Sequence, residues 1–314
     1  RDIQKKGIKK IEGNLILDKS YFGKLPQVID FDDDPMRAYN VLPNAISIQA
    51  NTVNYKFIPQ NKKIKIESKP DLKSLRIKNN LKISEKNCTS WKQSLDYQKA
   101  NNSPPEEIIF QGYLSKKCLN KEIDLSVLDN SRYFYEIFKH LWVQNGGHFT
   151  GGYWVNDSKR LEDNAIASHV SKPLGVLIRD MNKYSLNLMA RNLILTVVTE
   201  DLKIQATEND VNEYILNRLK SLGIDTGNIF FIILLSSFSI LYEDGTLEKK
   251  MPFSKVKKNG HFKTGSLKNV SAIAGYLVDK NKDKKLFVFI MNDKAANKSY
   301  DFQNDLINLA FESI

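Results

Sequence analysis

Cysteine is scarce in this 314-residue sequence, which contains only Cys88 and Cys118. There is no Cys-x-x-Cys pair and no cluster of cysteine with histidine, so a structural zinc site is not expected, and no cofactor is predicted. The residues alone leave two interpretations of the pair open. They are either two buried free thiols or a disulfide, and a disulfide would indicate an oxidising compartment.

Long hydrophobic runs are also missing. The most apolar stretch, residues 229–241, is broken by serines and is shorter than the ~18 apolar residues that a helix needs to cross a bilayer. We therefore predict no transmembrane segment and interpret the stretch as a buried strand or helix. The sequence opens on Arg1 without an initiator methionine, so we expect it to begin inside a longer protein, which leaves a signal peptide open.

Acidic residues are fewer than basic ones. The sequence contains 36 aspartates and glutamates against 47 lysines and arginines, which gives a formal net charge of +11. The lysines occur as scattered pairs, such as Lys116–Lys117, and no long basic run is interleaved with stacking aromatic residues. This pattern is typical of solvated surfaces and does not predict a nucleic-acid partner. Attraction to an acidic polymer such as a cell wall is compatible with the charge.

The residues that are present suit a globular protein of two domains, with 41% hydrophobic and 26% charged residues. Alternation of apolar and polar residues predicts strands in the first part of the chain, at 14–17, 45–49, 53–57 and 63–67. A first helix is predicted after Asp129 or Ser131 as cap, ending at Gly146. From about residue 165 an α/β pattern predicts helices at 174–181, 188–199, 210–222 and 302–311, and a hairpin of strands at 272–278 and 286–291.

Two short motifs carry candidate chemistry. Ser185-Leu-Asn187 precedes a predicted helix, and Lys263-Thr-Gly-Ser266 precedes the predicted hairpin. Alone, each has an ordinary structural interpretation, since Ser-x-Asn commonly caps a helix and Lys-Thr-Gly commonly ends a strand at a turn. In this order and setting, the two match the second and third motifs of the serine penicillin-recognising enzymes, which use Ser-x-x-Lys, Ser-x-Asn and Lys-Thr-Gly.

The sequence around both motifs resembles that of the D-alanyl-D-alanine carboxypeptidase/endopeptidase family, the class C low-molecular-mass penicillin-binding proteins. The similar stretches are residues 7–22, 172–190 and 261–276. The resemblance implies an α+β fold: a penicillin-binding transpeptidase/β-lactamase-like domain, incomplete here, with an antiparallel sheet flanked by helices, plus inserted β-rich domains. It places the inserted domains at 1–160 and the transpeptidase-like part at 161–314, and it favours a Cys88–Cys118 disulfide.

The resemblance also implies a role for each motif residue. The substrate is a peptidoglycan stem peptide ending in D-Ala-D-Ala, and β-lactams are inhibitors. Ser185 relays a proton to the leaving amine, Asn187 donates a hydrogen bond to the substrate backbone, and Lys263 supplies fixed positive charge. Further binding roles fall to the next three residues: Thr264 holds the terminal carboxylate, Gly265 lets the substrate lie close, and the Ser266 N–H forms half of the oxyanion hole.

The nucleophile of this chemistry is not in its proper place. The Ser-x-x-Lys motif belongs before the inserted domains, hence before Arg1, and the only such spacing here, Ser254 to Lys257, lies in the wrong order and is interpreted as coincidence. A stretch of family sequence is also expected to be missing around residues 229–240. The leading hypothesis is a periplasmic serine-type carboxypeptidase/endopeptidase, inactive as this chain alone. The alternative is a non-catalytic remnant or a peptidoglycan-binding fragment.

Overall fold

The computed structural model describes residues 1–25, 34–60, 63–88, 91–101, 105–118, 120–157, 165–223, 239–240, 245–247, 256, 259–267, 269–278 and 282–312. The chain divides into two compact units. Unit 1 comprises residues 1–168 and 192–210, and unit 2 comprises residues 169–191 and 211–314. The assignment of domains with one boundary at residue 160 stays a prediction.

Six α-helices lie in the described residues: α1 (Asp2–Lys5), α2 (Asn130–Gln144), α3 (Leu174–Tyr184), α4 (Asn187–Leu202), α5 (Glu208–Ser221) and α6 (Tyr300–Glu312). The start of α2 follows from its cap, because Asp129 Oδ1 accepts hydrogen bonds from the N–H groups of Ser131 at 2.9 Å and Arg132 at 3.0 Å. The end follows from Gly146, whose φ of +83° continues the chain out of the helix.

Unit 1 is rich in strands: β1 (Lys10–Ile11), β2 (Leu15–Asp18), β3 (Val53–Gln60), β4 (Lys63–Lys69), β5 (Leu75–Ser84), β6 (Leu95–Asn101), β7 (Glu106–Ser115), β8 (Lys121–Leu125), β9 (His148–Phe149) and β10 (Tyr153–Asn156). They form parallel pairs β1–β9 and β2–β10, an antiparallel sheet β4-β3-β8, and a mixed sheet β5-β7-β6 in which β5 and β7 are parallel.

The inner faces of the two three-stranded sheets and one face of α2 form the main core of unit 1. Tyr55, Phe57 and Phe110 are fully buried there, and the rings of Phe57 and Phe110 meet edge to face at 5.3 Å. Cys88 and Cys118 form a disulfide beside this core, at a sequence separation of 30. The bond joins the loop after β5 to the turn after β7.

Unit 2 is built on one antiparallel sheet, in the order β11-β12-β13-β14. Its strands are β11 (Ser239–Ile240), β12 (Gly260–Leu267), β13 (Val270–Val278) and β14 (Lys284–Asn292). One face of the sheet is covered by α6: Phe262, Ile273 and Leu277 are fully buried there and form a core with Ile307 of α6. Gly275 is required where β13 lies against β12, because a Cβ on it would lie 2.0 Å from the carbonyl oxygen of His261.

The mixed α+β class predicted from sequence is confirmed, and the predicted helices and the β13–β14 hairpin are present. The strand predicted at 45–49 is wrong, because that segment forms turns that lead into a short 3₁₀ helix, Gln49–Asn51. Residues 229–238 and Ser254 lie outside the described residues, and with them most of the predicted gap. Within the described ranges, no helix is long and apolar enough to cross a membrane.

Candidate functional site

Ser185 stands at a position where a helix normally uses glycine. It follows α3 with φ +57° and ψ +47°, the left-handed conformation, and the N–H of Leu186 closes the helix end by donating to the carbonyl of Met181 at 2.9 Å. For a residue other than glycine, this conformation raises the free energy of the folded state by about 1 kcal/mol or more. The strained backbone holds the hydroxyl of Ser185 at a fixed point between α3 and α4, which suggests a functional reason for serine here.

Lys263 brings the two motifs together. Its ammonium donates a hydrogen bond to Oγ of Ser185, a residue 78 positions away in the chain, and a second bond to the carbonyl oxygen of Thr264 at 2.9 Å. Both side chains are half-buried. Because the serine oxygen accepts from the ammonium, its own hydrogen is directed elsewhere and can be donated to a ligand. The pair can therefore present one fixed positive charge and one hydroxyl proton at the same point.

Gly265 follows on the same strand, and packing within the chain does not demand a glycine there. A Cβ on Gly265 would meet only Cβ of Ala272, at an ordinary 3.9 Å, and its φ is not positive. Gly265 and Ser266 are both exposed and pair with Ala272 and Ser271 of β13. The absence of a side chain at Gly265 thus leaves the strand open to close approach from outside.

Thr264 points to the opposite face of β12 from Lys263, since side chains alternate along a strand. Its hydroxyl oxygen lies 3.4 Å from the hydroxyl oxygen of Thr246. Sequence reasoning did not single out Thr246, because it belongs to no motif and only the fold brings it close. The predicted role of Thr264 in holding a carboxylate stays a prediction.

Asn187 is the first residue of α4 and is exposed. It lies two residues after Ser185, so the end of α3 and the start of α4 together carry both polar residues of the first motif. Its predicted bond to a substrate backbone is likewise still a prediction. Within the described part of the chain, no group of three metal-ligating side chains is present.

The face of the sheet that carries Lys263 is largely apolar on β14. Strand pairing places Lys263, Ala274 and Val288 side by side, and the next row contains Gly265, Ala272 and Ile290. On β14 of this face Leu286 is 57% exposed, Val288 57% and Ile290 69%. An apolar surface this continuous is typical of one that another segment or molecule covers.

We predict that Ser185→Gly and Ser185→Ala separate the hydroxyl from the backbone conformation. Both variants lose the hydrogen bond to Lys263, but alanine also keeps the left-handed strain, so Ser185→Ala should unfold about 1 kcal/mol more easily than Ser185→Gly. Denaturant unfolding followed by circular dichroism measures the difference. Equal stability of the two variants would show that the left-handed backbone at this position is not retained.

Comparison with known proteins gives consistent matches. A family sequence model described as the D-Ala-D-Ala carboxypeptidase 3 (S13) family matches residues 1–232 and 230–311, two segments that meet within the region of the predicted gap. The chain is 25% identical over 333 residues to D-alanyl-D-alanine carboxypeptidase DacB of Haemophilus influenzae, covering 93% of this chain and 67% of that protein.

Solved structures match over almost the whole chain. Penicillin binding protein 4 (dacB) from Haemophilus influenzae superposes with a TM-score of 0.77 at 22% identity, covering 99% of this chain and 77% of that one. The same protein in complex with a β-lactam gives a TM-score of 0.68 at 21% identity, covering 99% and 76%. At this identity the likeness shows the fold.

Proposed function

Because the chain belongs to the D-Ala-D-Ala carboxypeptidase 3 (S13) family, we propose that its residues serve a serine-type carboxypeptidase or endopeptidase acting on peptidoglycan stem peptides. In this reaction a serine attacks the carbonyl of the penultimate D-Ala, the terminal D-Ala leaves as an amine, and water hydrolyses the acyl-enzyme. The residues described above bind the substrate, stabilise charge and transfer a proton, and the nucleophile comes from a Ser-x-x-Lys segment upstream of Arg1.

The observation that carries this proposal is the contact between Lys263 and Ser185. The two residues come from different motifs, and the fold places the ammonium directly on the hydroxyl. A cation next to the hydroxyl stabilises negative charge on the serine oxygen, so Ser185 can pass a proton towards the leaving amine. The same cation attracts the free carboxylate of the terminal D-Ala.

The neighbouring residues complete the site on β12 and at the start of α4. Gly265 lets the substrate backbone lie along the strand, and the N–H of Ser266 supplies one of the two donors that an oxyanion hole needs. Asn187 donates to the substrate backbone from the other side of Ser185. The hydroxyl of Thr264 reaches the terminal carboxylate around β12 from the face opposite Lys263, which requires it to turn from Thr246.

The upstream segment covers the open apolar face of β13 and β14. Leu286, Val288 and Ile290 lie on the side of the sheet that carries Lys263, so a helix or strand that buries them also brings its own residues beside Lys263. Burying three exposed aliphatic side chains contributes roughly 2–5 kcal/mol, which is enough to fix the segment's position. The chain spans 67% of the length of its DacB relative, which leaves room for such a segment.

The proposed location is the periplasm, and the proposed inhibitors are β-lactams. The disulfide between Cys88 and Cys118 is compatible with an oxidising compartment. A related penicillin binding protein 4 has been solved with a β-lactam bound.

Release of D-alanine tests the function. A form of the protein extended upstream to include Ser-x-x-Lys should release D-alanine from a stem pentapeptide, measured by chromatography, while residues 1–314 alone should release none. If the extended form folds and releases none, the chain is the non-catalytic remnant of the family instead. Sequencing the coding region upstream of Arg1 gives the matching control, because an in-frame Ser-x-x-Lys is required.

A further inference from the structure

A cavity lies in unit 1, well away in sequence from the motif residues. It has a volume of about 540 Å³ and is lined by side chains from the end of β5, the loop that follows it, and β7. The lining residues that matter are Lys86, Asn87, Trp91, Gln93, Tyr113 and Cys118. The described lining residues include no acidic side chain, so the cavity suits a neutral or anionic ligand.

The walls of the cavity are held by covalent and hydrogen bonds. The disulfide of Cys118 with Cys88 joins the two loops, and Lys117 Nζ donates to Oδ1 of Asn87 at 3.2 Å. The hydroxyl of Ser115 donates to the carbonyl of Lys86 across the same gap. A cavity fixed in this way is preorganised, so a ligand does not have to order the loops when it binds.

Gly112 positions the aromatic side chain of Tyr113 at the opening of the cavity. Its φ is +99°, and a Cβ there would lie 2.3 Å from the carbonyl oxygen of Ser94, so the backbone approaches the residue before β6 more closely than other residue types allow. The next residue, Tyr113, donates its N–H to that carbonyl at 2.9 Å and is 54% exposed. Trp91 lines the wall and is anchored against Phe57, with ring centroids 6.2 Å apart.

Polar groups surround the rings. Lys117 donates a hydrogen bond to the side-chain carbonyl oxygen of Asn87, so the NH₂ group of the same amide is available to a ligand. The amide of Gln93 is exposed and can both donate and accept. Aromatic faces ringed by amides fit a sugar, whose ring has an apolar face of C–H groups and a rim of hydroxyl and acetamido groups.

We propose that this cavity binds an oligosaccharide of N-acetylated amino sugars, the glycan strand of the polymer whose stem peptides are the proposed substrate. The inference rests on the proposed function for the identity of the polymer. One sugar ring stacks on Tyr113, Asn87 and Gln93 hold its acetamido and hydroxyl groups, and Lys86 faces an acidic substituent. The site would hold the enzyme on the glycan strand while peptide ends are cut elsewhere.

Calorimetric titration of residues 1–314 with a linear tetramer of N-acetylglucosamine tests this site. We expect measurable binding, weakened about tenfold by Tyr113→Ala because the stacking surface is lost. Gln93→Ala should weaken it by a smaller factor. The control is Trp154→Ala, which removes another exposed aromatic side chain, 65% exposed and outside the cavity, and should leave binding unchanged.

Three outcomes would overturn the proposal: no binding to the unmodified chain, equal affinity of Tyr113→Ala and the unmodified chain, or displacement of the tetramer by a D-Ala-D-Ala peptide. The D-alanine release assay reports separately on the site at Lys263. Failure of release with intact binding of the tetramer would therefore contradict the enzymatic proposal and leave the sugar site standing.

Discussion

Fluorescent penicillin should label an upstream-extended form of this protein and leave residues 1–314 unlabelled. The β-lactam ring is opened only by the nucleophilic serine, and the proposed nucleophile lies outside this chain. In the extended form, Lys263→Ala should lower the rate of labelling by about 10²–10³, because it removes the charge that we propose polarises Ser185 and binds the ligand's carboxylate. Gel fluorescence at increasing times after mixing measures the rate.

Two variants serve as controls for that experiment. Lys284→Ala removes an exposed positive charge from the same sheet at the start of β14, and it should label at the rate of the unmodified protein. Lys263→Arg keeps the charge but replaces the compact ammonium with a planar group, so an intermediate rate is expected. Labelling of residues 1–314 at Ser254 or at any other serine would contradict the assignment, as would equal rates for Lys263→Ala and Lys284→Ala.

Much of this site could be predicted because its residues belong to short motifs with fixed order. Lys263-Thr-Gly-Ser266 and Ser185-x-Asn187 each have an ordinary structural interpretation alone, and the resemblance of the surrounding sequence is what favours the catalytic one. The left-handed backbone of Ser185 could not be derived from the motif. The only signal for this conformation in the sequence is indirect. The helix ends at a serine, and no glycine stands at that position to end it.

The helices were predictable because their signals are local. Asp129 caps α2 and Gly146 ends it, and both act within one turn of the helix. The strand predicted at 45–49 failed because a distant contact decides the conformation there. The buried amide of Asn51 donates to Ser126 Oγ at 2.9 Å and to the carbonyl of Leu128 at 2.8 Å, which fixes the preceding turn whatever the alternation of apolar residues.

Contacts between residues far apart in sequence were beyond a single sequence for the same reason. Thr246 meets Thr264 only because the fold brings them together, and no spacing rule connects the two. The parallel pairing of β5 with β7 is a second case, since the antiparallel partner of β7 is the intervening strand β6. The cavity beside Tyr113 is formed by this arrangement, and so could not be predicted either.

Removing the disulfide should be the largest single loss of stability in unit 1. Cys88 and Cys118 close a loop with a sequence separation of 30, and in the chain-entropy account such a cross-link stabilises the folded state by about 3 to 4 kcal/mol. The variant Cys88→Ala/Cys118→Ala should therefore melt lower by on the order of 10 °C. Calorimetry of the oxidised protein, the reduced protein and the double variant measures the loss.

Reduction of the unmodified protein is the matched control, because it breaks the cross-link without deleting either side chain. If the cross-link is responsible, the reduced protein and the double variant should melt close together, and hydrogen exchange should quicken in β5, β6 and β7 while β12 to β14 keep their protection. The same reduction should weaken binding of the amino-sugar tetramer, since Cys118 lines that cavity. Coincident melting of the oxidised and reduced proteins would refute a stabilising role, and the cavity walls would then depend on the hydrogen bonds of Ser115 and Lys117 alone.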